Sequence, residues 1–277
     1  MATKALFGDA GPVVTVRARA KLPQMKPLPD SRGPFRAEQL RSGDPYELSN
    51  GHAVYCSPTG ARGSKAEGAG YKVLATDPAS EDVGIDTGFS PEPGTLRAPD
   101  LSCGRIPDEP GWVEGVPRLA VEYADTGQDE DELTAKIGEL LTAGTELIWV
   151  VRLQGPRRVE VYRPGQRMRI VNPGETLEAP GILKNVVPVE ALYDADAAND
   201  VALRNLLQRQ GYADLEAVLD KGALRALRDD LLAVLEARQV ELDDEQRAVV
   251  AACAETAVLR RWLVAAATAS AAEDVFS

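Results

Sequence analysis

Histidine and cysteine are scarce in this chain of 277 residues, which has one histidine and three cysteines. A single histidine excludes HExxH and three-histidine zinc sites, and it permits Ser-His-Asp or Cys-His catalysis only if His52 is the base. His52 follows Asn50-Gly51, a strong hairpin-turn signal, and we interpret it as a residue beside a turn. The scattered cysteines, Cys56, Cys103 and Cys253, predict no disulfide framework and favour a reducing, cytoplasmic location.

Long apolar runs and a positive net charge are also missing. The apolar runs are far shorter than the ~20 residues of a membrane span, and the first ten residues lack the pattern of a secretory signal, so we expect no membrane partner. The net charge is −12; residues 190–277 hold 9 Lys and Arg against 17 Asp and Glu, whereas residues 1–189 hold 22 against 26. Since phosphate binding needs Lys and Arg, we expect any binding of nucleic acid to be weak or local.

Changes in amino-acid composition along the sequence divide the chain into three predicted parts. Residues 1–33 are rich in Pro and basic residues and predict an extended N-terminal arm. Residues 34–189 predict an α+β domain with a mixed central sheet flanked by helices. Residues 190–277 predict an all-α appendage, because strands stop and Ala, Leu, Glu and Arg dominate. Its predicted helices are Val201–Gln210, Leu215–Arg238, Asp244–Cys253 and Val258–Ala267.

Several elements of the α+β part have clear local signals. Alternation around Asn50-Gly51 predicts a β-hairpin, and residues 129–141 predict a helix that ends at Gly144, because Leu and Ile recur at spacings of three and four. The segment from Gly60 to Leu74 carries many glycines and shows only a weak helical pattern. The predicted strands are Val83–Thr87, Thr95–Arg97, Leu101–Cys103, Leu119–Tyr123, Leu147–Leu153, Arg158–Tyr162 and Met168–Val171, with Pro91-Glu92-Pro93-Gly94 as a break.

Three residues form the only constellation here that predicts chemistry: Asp100, Glu122 and Lys136. Two carboxylates on neighbouring strands can hold Mg²⁺ or Mn²⁺, and a lysine from the next helix can orient the attacking water. Each residue also has a plainer interpretation: Asp100 can be a strand-end residue and Lys136 a solvated lysine. Glu122 lies within an apolar run, where a carboxylate without a partner is costly, so it requires a metal or a base.

Ordered motifs over residues 46–162 resemble the Uma-type family of putative restriction endonucleases, within the PD-(D/E)XK nuclease superfamily. Their order and spacing carry the resemblance more than any single motif does. The matching pieces are Tyr46-Glu47-Leu48-Ser49-Asn50-Gly51 with Ser57-Pro58, Asp86-Thr87-Gly88-Phe89, Arg97-Ala98-Pro99-Asp100, Pro117-Arg118-Leu119-Ala120-Val121-Glu122-Tyr123, Lys136 with Ala143-Gly144, Ile148-Trp149-Val150-Val151 and Val159-Glu160-Val161-Tyr162.

The resemblance implies a restriction-endonuclease-like core and a divalent-metal site at Asp100 and Glu122. The superfamily lysine usually lies two residues after the acid, where this chain has Ala124, but the Uma-type pattern takes its lysine from the following helix, which matches Lys136. Glu47 matches a family glutamate near the hairpin and is a fourth candidate. The backbone carbonyl of Tyr123 is a further candidate metal ligand.

The chain departs from the family pattern in three places. Arg62 and Lys65 occupy the stretch after Ser57-Pro58 where the family often has a histidine. Arg152 stands where an aspartate usually follows the strand that contains tryptophan. Ala124 to Gly127 replace a run that is often Ser-Pro-Ser. These changes leave the three central residues intact and alter the surroundings that would face the substrate.

Two functions are therefore predicted as alternatives. The first is a metal-dependent DNA endonuclease in which Asp100 and Glu122 bind Mg²⁺ or Mn²⁺ and Lys136 positions the attacking water; an RNA substrate stays open. The second is a catalytically inactive protein with the nuclease fold, whose acidic helical region binds a protein partner or self-associates. Many members of the superfamily act as dimers, which implies a homo-oligomer.

Overall fold

The computed structural model describes residues 33–276, so the predicted N-terminal arm lies outside the described residues except for residue 33. The strands, in chain order, are β1 (Tyr46–Ser49), β2 (His52–Tyr55), β3 (Asp82–Ile85), β4 (Phe89–Glu92), β5 (Thr95–Arg97), β6 (Leu101–Gly104), β7 (Val113–Glu114), β8 (Leu119–Ala124), β9 (Leu147–Arg152), β10 (Arg158–Tyr162), β11 (Arg169–Val171), β12 (Thr176–Leu177) and β13 (Val187–Pro188). The helices are α1 (Ala61–Thr76), α2 (Glu130–Ala143), α3 (Ala195–Arg209), α4 (Leu215–Ala237), α5 (Asp244–Ala252), α6 (Thr256–Ala266) and α7 (Glu273–Phe276), with short 3-10 turns at Ala37–Gln39 and Val189–Leu192.

A six-stranded mixed sheet, in the order β11-β10-β9-β8-β6-β3, carries the candidate site. Its β8 and β9 run parallel, and each remaining neighbouring pair runs antiparallel. Every residue of β8 is buried, as expected of a strand covered on both faces. This sheet, flanked by helices, confirms the predicted α+β class.

The helix α2 connects β8 to β9 and covers one face of the sheet. Asp129 caps its N-terminus by accepting hydrogen bonds of 3.1 Å from the backbone N–H groups of Asp131 and Glu132. Gly144 ends the helix in the left-handed conformation, with φ of 117°, which glycine adopts without steric cost. The apolar side of α2 buries Leu133 and Leu140 against this face, so the polar side chains next to them on the helix are held close to β8.

The helices α1 and α3 cover the opposite face, where α1 contributes Ala66, Val73 and Leu74 to the main core. A side chain on Gly70 of α1 would collide with the hydroxyl group of Tyr123. Glycine at this position therefore lets the helix pass close to β8. That hydroxyl group donates a hydrogen bond of 2.9 Å to the carbonyl of Leu192.

A second sheet, in the order β2-β1-β5-β4-β7, packs beside the first and was not predicted as a separate layer. The hairpin of β1 and β2 turns at Asn50 and Gly51, with φ of 49° and 78°, which confirms the hairpin signal. The segment from Gly60 to Leu74 lies almost entirely in the helix α1 (Ala61–Thr76), with Gly60 as its N-cap, although its pattern was weak. The strand β4 was missed because Pro91 and Pro93 read as a break, whereas β4 tolerates Pro91 next to a register irregularity at Phe89 and Glu92.

All four predicted C-terminal helices are present, and the short helix α7 follows them. Their cores differ, because Ala198 and Val201 of α3 belong to the core of the central sheet. The helices α4 to α7 bury a separate set that includes Leu231, Leu259 and Trp262. The domain boundary between residues 189 and 190 stays a prediction. No helix within residues 33–276 is long and apolar enough to cross a bilayer.

Candidate active site

Asp100 and Glu122 stand opposite each other at one end of the central sheet. Leu101 of β6 pairs with Val121 of β8 in antiparallel register, so the residue before the first faces the residue after the second. Directly opposed residues of this kind have Cβ atoms about 4.5–5.5 Å apart. Asp100 Oδ2 also accepts a hydrogen bond of 2.6 Å from the backbone N–H of Tyr123. The residue that precedes β6 is therefore tied to β8 beside Glu122.

Lys136 reaches this pair from α2. Its Nζ lies 2.9 Å from Glu122 Oε1 and donates a hydrogen bond of 3.1 Å to Glu122 Oε2. It donates another, of 2.8 Å, to the carbonyl oxygen of Ala98. Only 7% of Glu122 and 9% of Lys136 are exposed. This burial excludes the interpretation of Lys136 as a solvated lysine.

Glu47 joins the same group from β1 of the second sheet. Its Oε1 lies 3.1 Å from Lys136 Nζ, and its Oε2 accepts a hydrogen bond of 3.1 Å from Arg97 Nη1. The ammonium group of Lys136 is therefore shared between Glu47 and Glu122. The structure thus brings all four predicted side chains, those of Glu47, Asp100, Glu122 and Lys136, to one cleft. Their chemical roles stay predictions.

The cleft above this group has a volume of 360 Å³. Its walls are β2, the loop that follows β2, and the loop between β8 and α2. Among the described residues that line it, Lys136 is the one cation. The acidic residues of the lining are Glu47, Glu67, Asp100, Glu122, Asp125, Asp129 and Glu132. Since like charges in a confined cleft reinforce one another, this cleft favours cations and disfavours a bare phosphate group.

Two acidic residues near Asp100 were not among the predicted site residues. Asp86 adopts the left-handed conformation, with φ of 50°, and its backbone N–H donates to the carbonyl of Asp100 at 3.2 Å. Glu67 lines the cleft from α1. Asp86 lay within a matching motif that could have marked it. Glu67 lies in the glycine-rich segment whose helical pattern was weak, so the sequence offered no signal for it.

The residues that depart from the family pattern form contacts of their own. Arg62 of α1 pairs with Asp125 in the loop after β8, with Nε 2.8 Å from Oδ2, and so links two walls of the cleft. Arg152 lies 2.6 Å from Glu130 and 2.9 Å from Glu160, which fastens the start of α2 to the sheet. Lys65 is exposed, and so is His52 at the start of β2, outside the cleft lining.

Burial is the largest single influence on the pKa values of Glu67, Asp100, Glu122 and Lys136. It raises the pKa of Asp100 above its usual value and that of Glu122 to about 8, although Lys136 opposes both shifts. Burial, followed by the charges of Asp100 and Asp86, raises the pKa of Glu67 to about 7. Burial lowers the pKa of Lys136, but Glu122 and the neighbouring carboxylates raise it further, so its net shift is upward. Lys136 therefore stays protonated, and the acidic groups favour an additional positive charge.

The stability of the metal-free protein should fall as the pH rises from about 5 to about 8. A carboxyl group with a raised folded-state pKa holds its proton more tightly in the folded chain, so its contribution is complete below the unfolded value and is lost as the pH passes the folded value. For Glu67 and Glu122 the folded values are about 7 and about 8. Urea unfolding over this pH range measures the effect.

The Glu67→Gln variant should lose less stability over the same pH range than the wild type, because the amide carries no titrating proton. Glu109→Gln, in an exposed loop, is the matched control and should keep the slope of the wild type. A wild-type stability that stays level from about pH 5 to about pH 8 would contradict the raised pKa values.

The predicted metal site needs few protein ligands. Within residues 33–276, no group of three or more His, Cys, Asp and Glu side chains is arranged to hold a metal ion. Two carboxylates, those of Asp100 and Glu122, and the carbonyl of Tyr123 form an all-oxygen set, which Mg²⁺ and Mn²⁺ prefer and complete with water. Glu122 Oε1 is buried, and it lies 2.9 Å from Lys136 Nζ. The donor set therefore fits a hard divalent cation, and the metal itself stays a prediction.

Comparison with known proteins bears on the fold and the family. A solved structure from Anabaena variabilis, described as a putative nuclease belonging to DUF820, is similar with a TM-score of 0.50 and 18% sequence identity, over 60% of this chain and 99% of that chain. At this identity the likeness shows a shared fold, in agreement with the predicted nuclease-like core. No curated protein matched the chain. The model of the Uma2 family, described as putative restriction endonuclease, matches residues 35–190. Since this match covers more than half of the chain, the protein belongs to the Uma2 family.

Proposed function

We propose that this protein is a divalent-metal-dependent DNA endonuclease that hydrolyses phosphodiester bonds. The observation that carries the proposal is the buried carboxylate of Glu122, which faces Asp100 and lies 2.9 Å from the ammonium group of Lys136. Membership of the Uma2 family supports a nuclease in general terms. The identity of the substrate and the metal requirement belong to the proposal.

Asp100 and Glu122 would hold Mg²⁺ or Mn²⁺, with the carbonyl of Tyr123 as a third ligand. A bound cation of this kind would offset the charge of the phosphodiester and lower the pKa of a water molecule. The hydrogen bond from the backbone of Tyr123 to Asp100 Oδ2 holds this carboxylate in a fixed orientation. Because such ligands are already in place, the site needs little reorganisation when negative charge develops on the reacting phosphate group.

Lys136 would position the attacking water and stabilise developing negative charge. Because its pKa is raised, Lys136 acts as a hydrogen-bond donor and not as the general base. Glu47 also pairs with the ammonium group, at 3.1 Å. The reach of Lys136 toward a substrate is therefore set by both carboxylates.

The acidic lining of the cleft bears on how DNA would bind. A phosphodiester backbone entering a cleft lined by seven carboxylates meets repulsion unless cations accompany it. Because the chain has a net charge of −12, we expect its DNA binding to be weak or local and to depend strongly on divalent metal. The site does not distinguish the two sugars, so RNA belongs among the substrates tested.

Metal addition tests the proposal directly. Purified protein mixed with supercoiled plasmid should produce nicked and then linear DNA when Mg²⁺ or Mn²⁺ is present, and chelation with EDTA should stop the reaction. The physical reason is that only a bound cation offsets the negative charge of the phosphate group, which the carboxylates by themselves repel. If plasmid, single-stranded DNA and RNA all stay intact over a range of divalent metals, the nuclease proposal is wrong.

A second candidate function is a non-catalytic interaction protein with the nuclease fold. The specific observation in its favour is that Lys136 already pairs with Glu122 and Glu47, so these carboxylates have a partner without a metal. The C-terminal helices also expose large apolar side chains, which suit self-association or a protein partner. They include Leu203 and Leu206 of α3, Leu215 and Leu219 of α4, and Val264 of α6.

Calorimetry with Mn²⁺ separates the two candidates. Under the nuclease proposal, the wild type binds the cation and Glu122→Gln does not, because the amide removes one of the two charged ligands. Under the second candidate, neither protein shows a binding isotherm. Sedimentation of the wild type over a range of concentrations measures whether the chain forms the expected homo-oligomer.

A further inference from the structure

Arg97 lies at the end of β5, between the second sheet and α2, and only 1% of it is exposed. It is the residue that precedes Ala98, whose carbonyl accepts a hydrogen bond from Lys136. Three residues later the chain reaches Asp100. The guanidinium group is therefore buried next to the candidate site without lining the cleft.

Three carboxylates surround this guanidinium group. Its Nη1 donates to Glu47 at 3.1 Å and to Glu132 at 2.5 Å, and its Nε donates to Glu139 at 2.6 Å. Glu132 and Glu139 both belong to α2 and are seven residues apart, on one side of the helix. Lys136 lies between them on that side. Arg97 therefore holds the helix on both sides of the lysine.

Glu47 connects Arg97 to Lys136. One of its oxygens accepts from Arg97 and the other lies 3.1 Å from Lys136 Nζ. With Arg97 present, Glu47 is shared between two cations, and Lys136 can also form an ion pair with Glu122. Without Arg97, Lys136 would be the one remaining cation near Glu47, Glu132 and Glu122, and attraction to the additional carboxylates would draw it away from Glu122.

We propose that Arg97 is a positioning residue that fixes the ammonium group of Lys136 against Glu122, by sharing Glu47 and by clamping α2. The proposal rests on the role proposed for Lys136 in catalysis. It assigns a function to the second sheet, since β1 supplies Glu47 and β5 supplies Arg97. A purely structural ion cluster would stabilise the fold equally well but would not act through Lys136.

A double-mutant cycle in single-turnover cleavage tests the dependence on Lys136. Arg97→Gln should lower the rate about 10- to 100-fold, because small misplacements of a catalytic group have effects of this size. In a Lys136→Met background, the same change should lower the rate by less than about 2-fold, because residues that act as a unit are not additive. Losses that multiply in the double variant would overturn the proposal.

Arg152→Gln is the matched control for the cycle. Arg152 also pairs with two glutamates and fastens α2, through Glu130, but it has no contact with Glu47 or Lys136 among its ion pairs. Arg152→Gln should therefore lower the rate by the same factor in the wild-type background and in the Lys136→Met background. If Arg97→Gln does not fold, Arg97→Lys takes its place under the same criteria, since lysine keeps the charge and loses the fork of donors.

A measurement without DNA keeps this proposal separate from the nuclease proposal. The ammonium group of Lys136, buried between two carboxylates, should give a slowly exchanging signal in nitrogen-15 NMR of the wild type. This signal should shift or vanish in Arg97→Gln or Arg97→Lys and persist in Arg152→Gln. An unchanged signal in a folded Arg97 variant overturns the proposal. If no DNA is cleaved but the NMR signal of Lys136 changes as expected in the Arg97 variants, the nuclease proposal alone is wrong.

Discussion

Replacing Asp100 with alanine should abolish metal-dependent cleavage, with a loss of about 10³-fold or more in the single-turnover rate. The change removes one of the two proposed charged ligands, and a catalytic cation supplies several kcal/mol of transition-state stabilisation. It also removes the acceptor for the backbone N–H of Tyr123, a hydrogen bond of 2.6 Å. Cleavage of plasmid at saturating Mg²⁺ measures the effect.

The control for Asp100→Ala is Asp108→Ala, the same change in an exposed loop, which should keep the rate of the wild type. Circular dichroism and urea unfolding of both variants separate loss of chemistry from loss of fold. If Asp100→Ala stays folded and cuts plasmid within about 3-fold of the wild type, Asp100 is not a ligand of a catalytic metal.

Replacing Lys136 with methionine should affect both stability and cleavage. Removing one partner of a buried ion pair costs about 3–5 kcal/mol, because Glu122 is left buried without a counter-charge, whereas Glu47 keeps its ion pair with Arg97. The stability loss should be larger near pH 8 than near pH 5, since removal of the cation raises the carboxyl pKa further and a protonated carboxyl group needs no partner. The cleavage rate should fall about 10²- to 10³-fold, as when a preorganised donor is removed.

Urea unfolding at the two pH values and single-turnover cleavage measure these effects. Lys65→Met is the matched control, because Lys65 is an exposed lysine of α1 outside the cleft lining; a change there should alter stability by no more than about 0.5 kcal/mol. If Lys136→Met matched the stability of the wild type at both pH values, the ion pairs with Glu122 and Glu47 would not exist in solution.

Elements with strong local signals were predicted well. The predicted strand at residues 119–123 is β8 (Leu119–Ala124), and the predicted helix at residues 129–141 is α2 (Glu130–Ala143). Both depend on patterns within one segment: a continuous apolar run for the strand, and apolar residues three and four apart for the helix. The Asn50-Gly51 turn was equally clear, because its backbone requires positive φ at both positions.

Elements that depend on distant partners were missed or weakly predicted. The helix α1 contains several glycines, and one of them, Gly70, is explained only by the approach of Tyr123 from β8. The strand β4 contains Pro91, which favours a break unless pairing with neighbouring strands overrides it. The division of the strands into three sheets, of five, six and two strands, was not predicted, because alternation within a strand does not identify its neighbours.

The amino-acid sequence by itself determined the residue types of the candidate site and the elements that carry them, because a carboxylate within an apolar strand and a lysine on a periodic helix are local patterns. Only the tertiary structure decided their distances, the sharing of Lys136 between Glu47 and Glu122, the acidic lining of the cleft, and the place of Arg97 among three glutamates. The physical reason is that these ion pairs join residues from different strands and helices, and the energy of each depends on burial and separation that no single segment encodes.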